Sequence, residues 1–147
     1  NRIDMIQLAI QDFPYFEFSD VELRRDGATY TVDTLKELKV ENSEDKFYFI
    51  MGADSLYQIE TWKDPDRILS MVNVLVATRN DSRSALDAQI DYLEDKYHGK
   101  IYHLNSPSIE ISSNEIRKRN VSGQSIHFFL PEPVIDYIER NGLYEHK

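Results

Sequence analysis

The run Lys46-Phe47-Tyr48-Phe49-Ile50-Met51-Gly52 decides the fold, because a near-continuous apolar stretch ends there at a glycine. Such a run is typical of a strand that is buried on both faces of a parallel sheet. The segment Val72 to Ala77 repeats the pattern, and Ile101 to Leu104 is a further short strand candidate. Between these two segments the apolar residues recur at the spacing of an amphipathic helix, namely Leu86, Ile90, Leu93 and Tyr97. Alternating strands and helices predict an α/β fold with a parallel sheet.

Other parts of the chain are predicted to be helical or extended. The first apolar residues have helical spacing, which indicates a helix that begins at once and ends before Pro14. An extended segment with a turn at Gly27 is predicted from the apolar residues that follow, Phe16, Phe18, Val21 and Leu23. Further helices are predicted from Val32 to about Val40, from Asp64-Pro65, from Ser113, and from Pro131 to Asn141 with Gly142 closing it.

The composition is that of an ordinary globular protein, and we predict one domain over residues 1–147. The 17 basic and 26 acidic residues give a net charge of −9, which argues against a broad surface for nucleic acid. The absence of cysteine excludes disulfides, zinc–thiolate sites and thiol nucleophiles. Since no apolar run is long enough to span a membrane and nothing resembles a signal peptide, we expect a cytoplasmic protein without a membrane partner.

Ligands of open parallel sheets bind beyond the carboxyl ends of the strands, where three stretches contain suitable residues. The first is Gly52-Ala53-Asp54-Ser55, followed by Trp62. A carboxylate at a strand end accepts hydrogen bonds from ribose hydroxyls, and an indole offers a flat face to an aromatic ring. The alternative is that Asp54 only caps a short helix and that Trp62 is an ordinary core residue.

The second stretch runs from Ile111 to Arg119 and combines serines at a predicted helix start with three cations one turn later. Hydroxyls, free backbone amides and cations in this arrangement hold polyphosphates. Two structural explanations compete with an anion site. Ser112 and Glu115 fit a capping box, and the cations Arg117, Lys118 and Arg119 fit a solvated helix face.

The third stretch, Tyr30 to Thr34, enters a predicted helix whose free amides could donate hydrogen bonds to a carboxylate or a phosphate. Capping by Thr31 is the alternative explanation for this stretch. Arg79 follows the strand that ends at Ala77 and is the remaining cation at a carboxyl end, where a plain surface arginine is the alternative.

Together these stretches resemble the bacterial nicotinate-nucleotide adenylyltransferases in order and spacing, over essentially the whole chain. The most specific element is the pairing of Gly52-Ala53-Asp54-Ser55-Leu56 and the later Trp62 with Ile111-Ser112-Ser113 and Ile116-Arg117. The ending Gly142-Leu143-Tyr144 supports it. The resemblance implies a Rossmann-like parallel sheet of the nucleotidyltransferase type.

The resemblance also implies a reaction, the transfer of AMP from ATP to nicotinate mononucleotide in NAD biosynthesis, with nicotinate adenine dinucleotide and pyrophosphate as products. Such a transfer depends mainly on alignment and charge neutralisation, and Mg²⁺ shares in the neutralisation. By resemblance the ATP-binding residues are Ser112, Ser113, Arg117 and Arg79. On the acceptor side, Asp54 faces the nucleotide sugar, Trp62 stacks on the pyridine ring, and the backbone near Thr31 and Lys63 holds the nicotinate carboxylate.

Two departures from the family pattern are visible. The family has a His-x-Gly-His motif in its opening strand, and none of the four histidines here, His98, His103, His127 and His146, is arranged to replace it. We therefore assign no catalytic residue and expect an N-terminally truncated chain, which begins at Asn1 just past the first strand. Without that strand its neighbours have unpaired backbone groups, so we expect the 147-residue chain alone to be poorly stable or inactive. The second departure is Asn114, where the family usually has threonine.

Other functions remain open at this stage. A related nucleotidyltransferase could use another acceptor, such as nicotinamide mononucleotide or a pantetheine phosphate. A non-catalytic nucleotide-binding module could have retained the fold and lost the chemistry. The oligomeric state is open as well, a homo-oligomer included.

Overall fold

The computed structural model describes residues 1–78, 83–105 and 111–144, which fall into two compact units. The sheet unit contains the described residues between 20 and 109. The helical unit contains residues 1–19 and the described residues from 111 onward. Arg79, predicted to bind ATP, lies outside the described residues.

The sheet unit has three parallel strands in the order β1-β2-β3, which confirms the predicted α/β fold. The strands are β1 (Tyr48–Gly52), β2 (Asn73–Ala77) and β3 (Lys100–Leu104). The α-helices of this unit are α2 (Thr31–Glu41), α3 (Ala53–Tyr57), α4 (Pro65–Met71) and α5 (Arg83–Tyr97), with a 3₁₀ turn at Ile59–Thr61. In register, Phe49 lies beside Val74 and Val74 beside Ile101.

In the part of the chain that the structure describes, one face of the sheet is buried and the other is largely exposed, so the prediction that β1 is covered on both faces is wrong. On the covered face Val74 and Val76 are fully buried, and they form one core with the apolar residues of helices α2 to α5. On the other face Ile50 is 62% exposed, and Tyr48 and Tyr102 are also exposed. The crossovers advance in one direction along the sheet, and right-handed connections of that kind place their helices on the same face. An apolar run in the sequence does not distinguish one covered face from two.

The predicted extended segment between Phe16 and Leu23 does not form a strand. The N–H groups of Leu23 and Arg24 both donate to the carbonyl of Asp20, at 2.8 and 3.2 Å, which closes a helical turn. Arg24 also pairs with the Asp20 carboxylate at 3.2 Å. Val21 is buried while Phe16 and Leu23 are exposed, so these residues do not form one alternating face. Because local hydrogen bonds satisfy the backbone here, the segment needs no strand partner.

The helical unit packs three helices around a small apolar core. Its helices are α1 (Arg2–Ile10), α6 (Ser113–Val121) and α7 (Glu132–Arg140). The buried core residues are Ile126, Val134, Ile135 and Ile138. The hydroxyl of Tyr137 on α7 donates to the Asp4 carboxylate on α1 at 2.6 Å, which joins the two helices at their polar edge.

The end of α7 confirms the predicted stop at Gly142. This glycine has a φ of 55°, the left-handed conformation that helix ends favour. The Leu143 N–H donates back to the Ile138 carbonyl at 3.0 Å, as in a Schellman ending. The other predicted helices and strands are confirmed. Most of their observed ends lie within two residues of the predicted ends. Among the described residues, no helix combines the length and apolar character that crossing a lipid bilayer requires.

Candidate functional site

Three of the predicted acceptor-binding residues line one cavity of the sheet unit, which we name the Trp62 pocket. Its volume is about 250 Å³. Its walls come from the start of α2 with the residues before it, and from the segment that runs from the end of the 3₁₀ turn into α4. They consist of Thr29, Tyr30, Thr31, Thr61, Trp62, Lys63 and Ile68. The structure therefore brings Thr31, Trp62 and Lys63 together, although they are far apart in sequence.

Trp62 is half-buried and takes part in both the pocket and the core. Its ring meets Phe49 of β1 edge to face, with the ring centroids 6.3 Å apart. Its backbone N–H donates to the Ile59 carbonyl at 3.0 Å, which fixes the start of the loop. The two interpretations of Trp62 made from the sequence are therefore compatible, since packing on Phe49 holds the indole that lines the pocket.

The start of α2 leaves backbone donors free at the pocket. Tyr30 is the N-cap residue and makes no side-chain cap hydrogen bond, so capping by Thr31 is not observed. The first amides of the helix that bond inward are those of Asp33 and Thr34, which donate to the Tyr30 carbonyl. Within the described chain, the N–H groups of Thr31 and Lys63 have no hydrogen-bond partner. These N–H groups can donate hydrogen bonds to an anionic oxygen.

Lys63 is tied to the start of α2 by an ion pair that the sequence did not predict. Its Nζ lies 2.8 Å from Asp33 Oδ2 and 4.5 Å from the centre of the Tyr30 ring. The hydrogen bond lowers the pKa of Asp33 and raises the pKa of Lys63. Both pKa values move further from pH 7, so Asp33 stays ionised and Lys63 stays protonated at physiological pH. Asp33 and Lys63 are 30 positions apart, and no local pattern links them.

Asp54 occupies the first turn of α3, directly after β1. The N-cap residue of that helix is Gly52, so the alternative interpretation of Asp54 as a cap is wrong. Its side chain is exposed, and its carboxylate makes no hydrogen bond or ion pair with any described residue. Asp54 does not line the Trp62 pocket, and it retains the strand-end position that was predicted for a sugar-binding carboxylate.

The predicted phosphate site lies at the start of α6 in the helical unit. Ser112 is the N-cap residue, and its Oγ accepts the Glu115 N–H at 3.1 Å, which confirms half of the capping box. The Glu115 carboxylate does not complete the box and lies 3.3 Å from Arg119 Nε instead. Among the described residues, the N–H groups of Ser113 and Asn114 remain without a partner. A helix start with free amides favours an anion.

The three cations of α6 have different surroundings. Arg117 is exposed and lines an apolar cavity of about 270 Å³ together with Ser113 and Tyr144. Its guanidinium lies 6.0 Å from the centre of the Tyr144 ring. Arg119 pairs with the Glu115 carboxylate, and its guanidinium lies 4.9 Å from the centre of the Phe129 ring. Lys118 is exposed and does not line the cavity. Of these cations, Arg117 is the one available to an anion at the Ser113 end of the cavity.

Replacing Ser112 with alanine is expected to lower the free energy of unfolding by about 1 kcal/mol, because α6 loses its N-cap hydrogen bond. Urea unfolding followed by circular dichroism measures this change. Ser113→Ala is the matched control, because its hydroxyl makes no hydrogen bond with the described residues, and it should change stability by less than about 0.5 kcal/mol. Equal losses in the two variants contradict the capping assignment.

The histidines do not form a cluster among the described residues. His98 follows the end of α5, His103 lies in β3, and His127 pairs with Glu132 at 2.9 Å. His146, like Arg79, lies outside the described residues. Within the described ranges, no three His, Cys, Asp or Glu side chains are grouped closely enough to hold a metal ion.

Comparisons with known proteins agree on one family. The chain matches the cytidylyltransferase-like family over residues 1–119. It is 43% identical over 145 residues to a probable nicotinate-nucleotide adenylyltransferase of Lachnoclostridium phytofermentans, covering 98% of this chain and 72% of the relative. A probable nicotinate-nucleotide adenylyltransferase of Clostridium botulinum is 40% identical, with the same coverage of both chains.

Solved structures show the same fold. The nicotinic acid mononucleotide adenylyltransferase of Plasmodium falciparum, complexed with APC, aligns with a TM-score of 0.72 at 23% identity. The alignment covers 97% of this chain and 74% of that one. A second structure of the Plasmodium enzyme, complexed with NaAD, aligns with the same score and identity over 72% of its chain.

Proposed function

The chain belongs to the nicotinate-nucleotide adenylyltransferase family, and on that premise we propose that it transfers AMP from ATP to nicotinate mononucleotide. The products are nicotinate adenine dinucleotide and pyrophosphate, in a step of NAD biosynthesis. The observation that carries this proposal is the 43% identity across 98% of the chain with a probable nicotinate-nucleotide adenylyltransferase. The Trp62 pocket and the start of α6 supply binding groups of the kinds that the two substrates need.

The Trp62 pocket suits the pyridine nucleotide. The indole offers a face for the pyridine ring, and the free amides of Thr31 and Lys63 offer donors to its carboxylate. Asp54, exposed at the end of β1, is assigned to the nucleotide sugar. These groups distinguish an aromatic acid from a simple phosphate, which has no ring to stack.

The start of α6 suits the phosphates of ATP. Ser113 and Asn114 present free amides there, the Ser112 hydroxyl stands at the cap, and the Arg117 guanidinium is available one turn later. In a chain of net charge −9, a polyanion needs such local donors and cations. Arg79 stays in the proposed ATP-binding set on the resemblance alone.

The reaction requires alignment rather than covalent catalysis. A phosphate oxygen of nicotinate mononucleotide attacks the α-phosphorus of ATP and forms a new P–O bond, while the bond to the bridging oxygen breaks and pyrophosphate leaves. Donors aimed at the leaving pyrophosphate stabilise the charge that develops in the transition state. We assign this role to Arg117 and the α6 amides, and no catalytic acid or base to the described residues.

Mg²⁺ enters the proposal as part of the ATP substrate. The described residues do not group three ligating side chains, and Mg²⁺ is commonly held by nucleotide phosphates and water with few protein ligands. The ion supplies charge neutralisation on the phosphates when it is bound. We also propose a cytoplasmic location, because the cytoplasm contains the ATP that the reaction uses.

Pyrophosphate release from ATP tests the proposal when three acceptors are compared on the protein encoded by the complete gene. The acceptors are nicotinate mononucleotide, nicotinamide mononucleotide and a pantetheine phosphate. We expect the highest kcat/KM with nicotinate mononucleotide, by about tenfold or more over the amide, because a site that binds a carboxylate through free amides leaves those donors unmatched by an amide's NH₂.

The other outcomes identify the alternatives. A preference for nicotinamide mononucleotide or a pantetheine phosphate contradicts the proposed acceptor and indicates a related nucleotidyltransferase. In the protein encoded by the complete gene, calorimetric binding of ATP without pyrophosphate release from any acceptor contradicts the enzymatic assignment and indicates a nucleotide-binding module.

A further inference from the structure

The Asp33–Lys63 ion pair joins the two segments that form the Trp62 pocket. Asp33 lies in the first turn of α2, two residues after Thr31, and Lys63 follows Trp62 directly. The distance of 2.8 Å between Lys63 Nζ and Asp33 Oδ2 is that of a charge-assisted hydrogen bond. The pair therefore links the free amides at the start of α2 to the loop that bears the indole.

The loop that bears Trp62 needs an external restraint because its backbone is strained. Asp64 has φ 50° and ψ 59°, a left-handed conformation, although a proline follows it. A residue before proline normally adopts an extended conformation, and left-handed backbone disfavours residues other than glycine. Locally, the loop prefers another geometry, so contacts to neighbouring elements must hold the one observed.

The loop has contacts on both sides of Trp62. Before it, the Glu60 carboxylate accepts hydrogen bonds from Lys96 at 2.6 Å and from Tyr97 at 2.8 Å, which fix the 3₁₀ turn to α5. After it, Lys63 bonds to Asp33 and its ammonium lies over the Tyr30 ring, which fix the loop to α2. The contacts of Lys63 with Asp33 and Tyr30 are the ones at the Trp62 pocket, because Tyr30 and Lys63 both line it.

We infer that the Asp33–Lys63 pair is a positioning device of the acceptor site, which holds the Trp62 indole and the free amides of Thr31 and Lys63 at one separation. The inference rests on the proposed function, because it concerns the binding of nicotinate mononucleotide. Asp33 and Lys63 act through the groups they position, so breaking the pair changes how the acceptor binds while ATP binding is unchanged.

Stability does not account for the pair. The side chains of Lys63 and Asp33 are 43% and 34% exposed, and exposed ion pairs typically contribute little to folding. A purely structural pair would change the unfolding transition slightly and leave substrate binding alone. Breaking a positioning pair weakens substrate binding and leaves the unfolding transition nearly unchanged, because small displacements of binding groups reduce affinity without unfolding the protein.

The test compares Asp33→Asn, Lys63→Met and the double variant in the native enzyme. We expect each single variant to raise KM for nicotinate mononucleotide about fivefold and to leave KM for ATP within about twofold. The double variant should be no worse than either single one, because both remove the same interaction. Trp62 is the single tryptophan of the 147-residue sequence, so quenching of its fluorescence by nicotinate mononucleotide gives a direct binding curve.

Lys36→Met is the matched control. Lys36 also approaches Asp33, at 3.5 Å, but it lies on α2 and does not line the pocket. It should leave both KM values unchanged, and Lys63→Arg, which keeps the cation, should retain most of the binding.

Three results overturn the inference: an unchanged or lowered KM for nicotinate mononucleotide in Asp33→Asn, additive losses in the double variant, or equal effects on both substrates. Failure of the proposed function is a separate result, because the native enzyme then forms no nicotinate adenine dinucleotide.

Discussion

Replacing Arg117 with alanine is expected to lower kcat/KM for ATP by about 10²- to 10³-fold, the loss typical of removing one donor from a developing oxyanion. The guanidinium makes no hydrogen bond or ion pair with any described residue, and its one ring contact is with Tyr144. Its donors are therefore free to meet phosphate oxygens at the start of α6. Steady-state kinetics with ATP varied at saturating nicotinate mononucleotide measures the effect.

Lys118→Ala is the control for charge, because Lys118 is the next residue on α6, is exposed and does not line the cavity. It should lower kcat/KM by less than about threefold, since it removes only a distant and screened charge. Arg117→Lys should fall between the two, because lysine keeps the charge but loses the planar fork of donors. If Arg117→Ala and Lys118→Ala behave alike, Arg117 is a surface residue and the proposed ATP site is wrong.

Replacing Trp62 with alanine is expected to raise KM for nicotinate mononucleotide about 5- to 150-fold, which corresponds to the 1–3 kcal/mol that base stacking contributes. KM for ATP should change much less, because the indole lines the pocket of the sheet unit and is assigned to the pyridine ring alone. The measurement is the ratio of the two KM changes in one variant.

Loss of packing must be separated from loss of stacking in this variant, because Trp62 also contacts Phe49. Trp62→Phe keeps an aromatic face and should recover most of the affinity. Tyr57→Ala removes an exposed aromatic side chain outside the pocket and should leave both KM values unchanged. Equal increases of the two KM values in Trp62→Ala argue against the stacking role.

Much of the fold could be predicted because its signals are local. The apolar runs before Gly52 and Ala77 predict β1 and β2, and helical spacing predicts α5, since each pattern lies within one element. The exposed face that includes Ile50 could not be predicted, because its exposure depends on the direction of the crossovers rather than on the strand itself. The turn at Asp20 was missed because its hydrogen bonds compete with strand formation without changing the apolar pattern.

In the candidate site, too, local contacts could be predicted from the sequence and tertiary contacts could not. Ser112 could be proposed as a cap because its partner Glu115 is three residues away, and the structure confirms that bond. Trp62 could be proposed as a binding residue, but its contact with Phe49 joins a loop to a strand that lies earlier in the chain. The Asp33–Lys63 pair depends wholly on tertiary structure, so no spacing rule could reveal it.

The helical unit is built from the two ends of the described chain, and this has a consequence for synthesis on the ribosome. Translation delivers α1 before the sheet unit, but the partners that cover the apolar side of α1 arrive only after the whole sheet unit has been made. These partners are Ile116, Val134 and Ile138. The sheet unit is continuous and can form its contacts as it emerges, whereas the helical unit must also overcome the entropy of closing a long loop. We therefore expect a nascent chain that stalls before α6 to expose Met5 and Leu8, an apolar surface that a chaperone can bind at that stage.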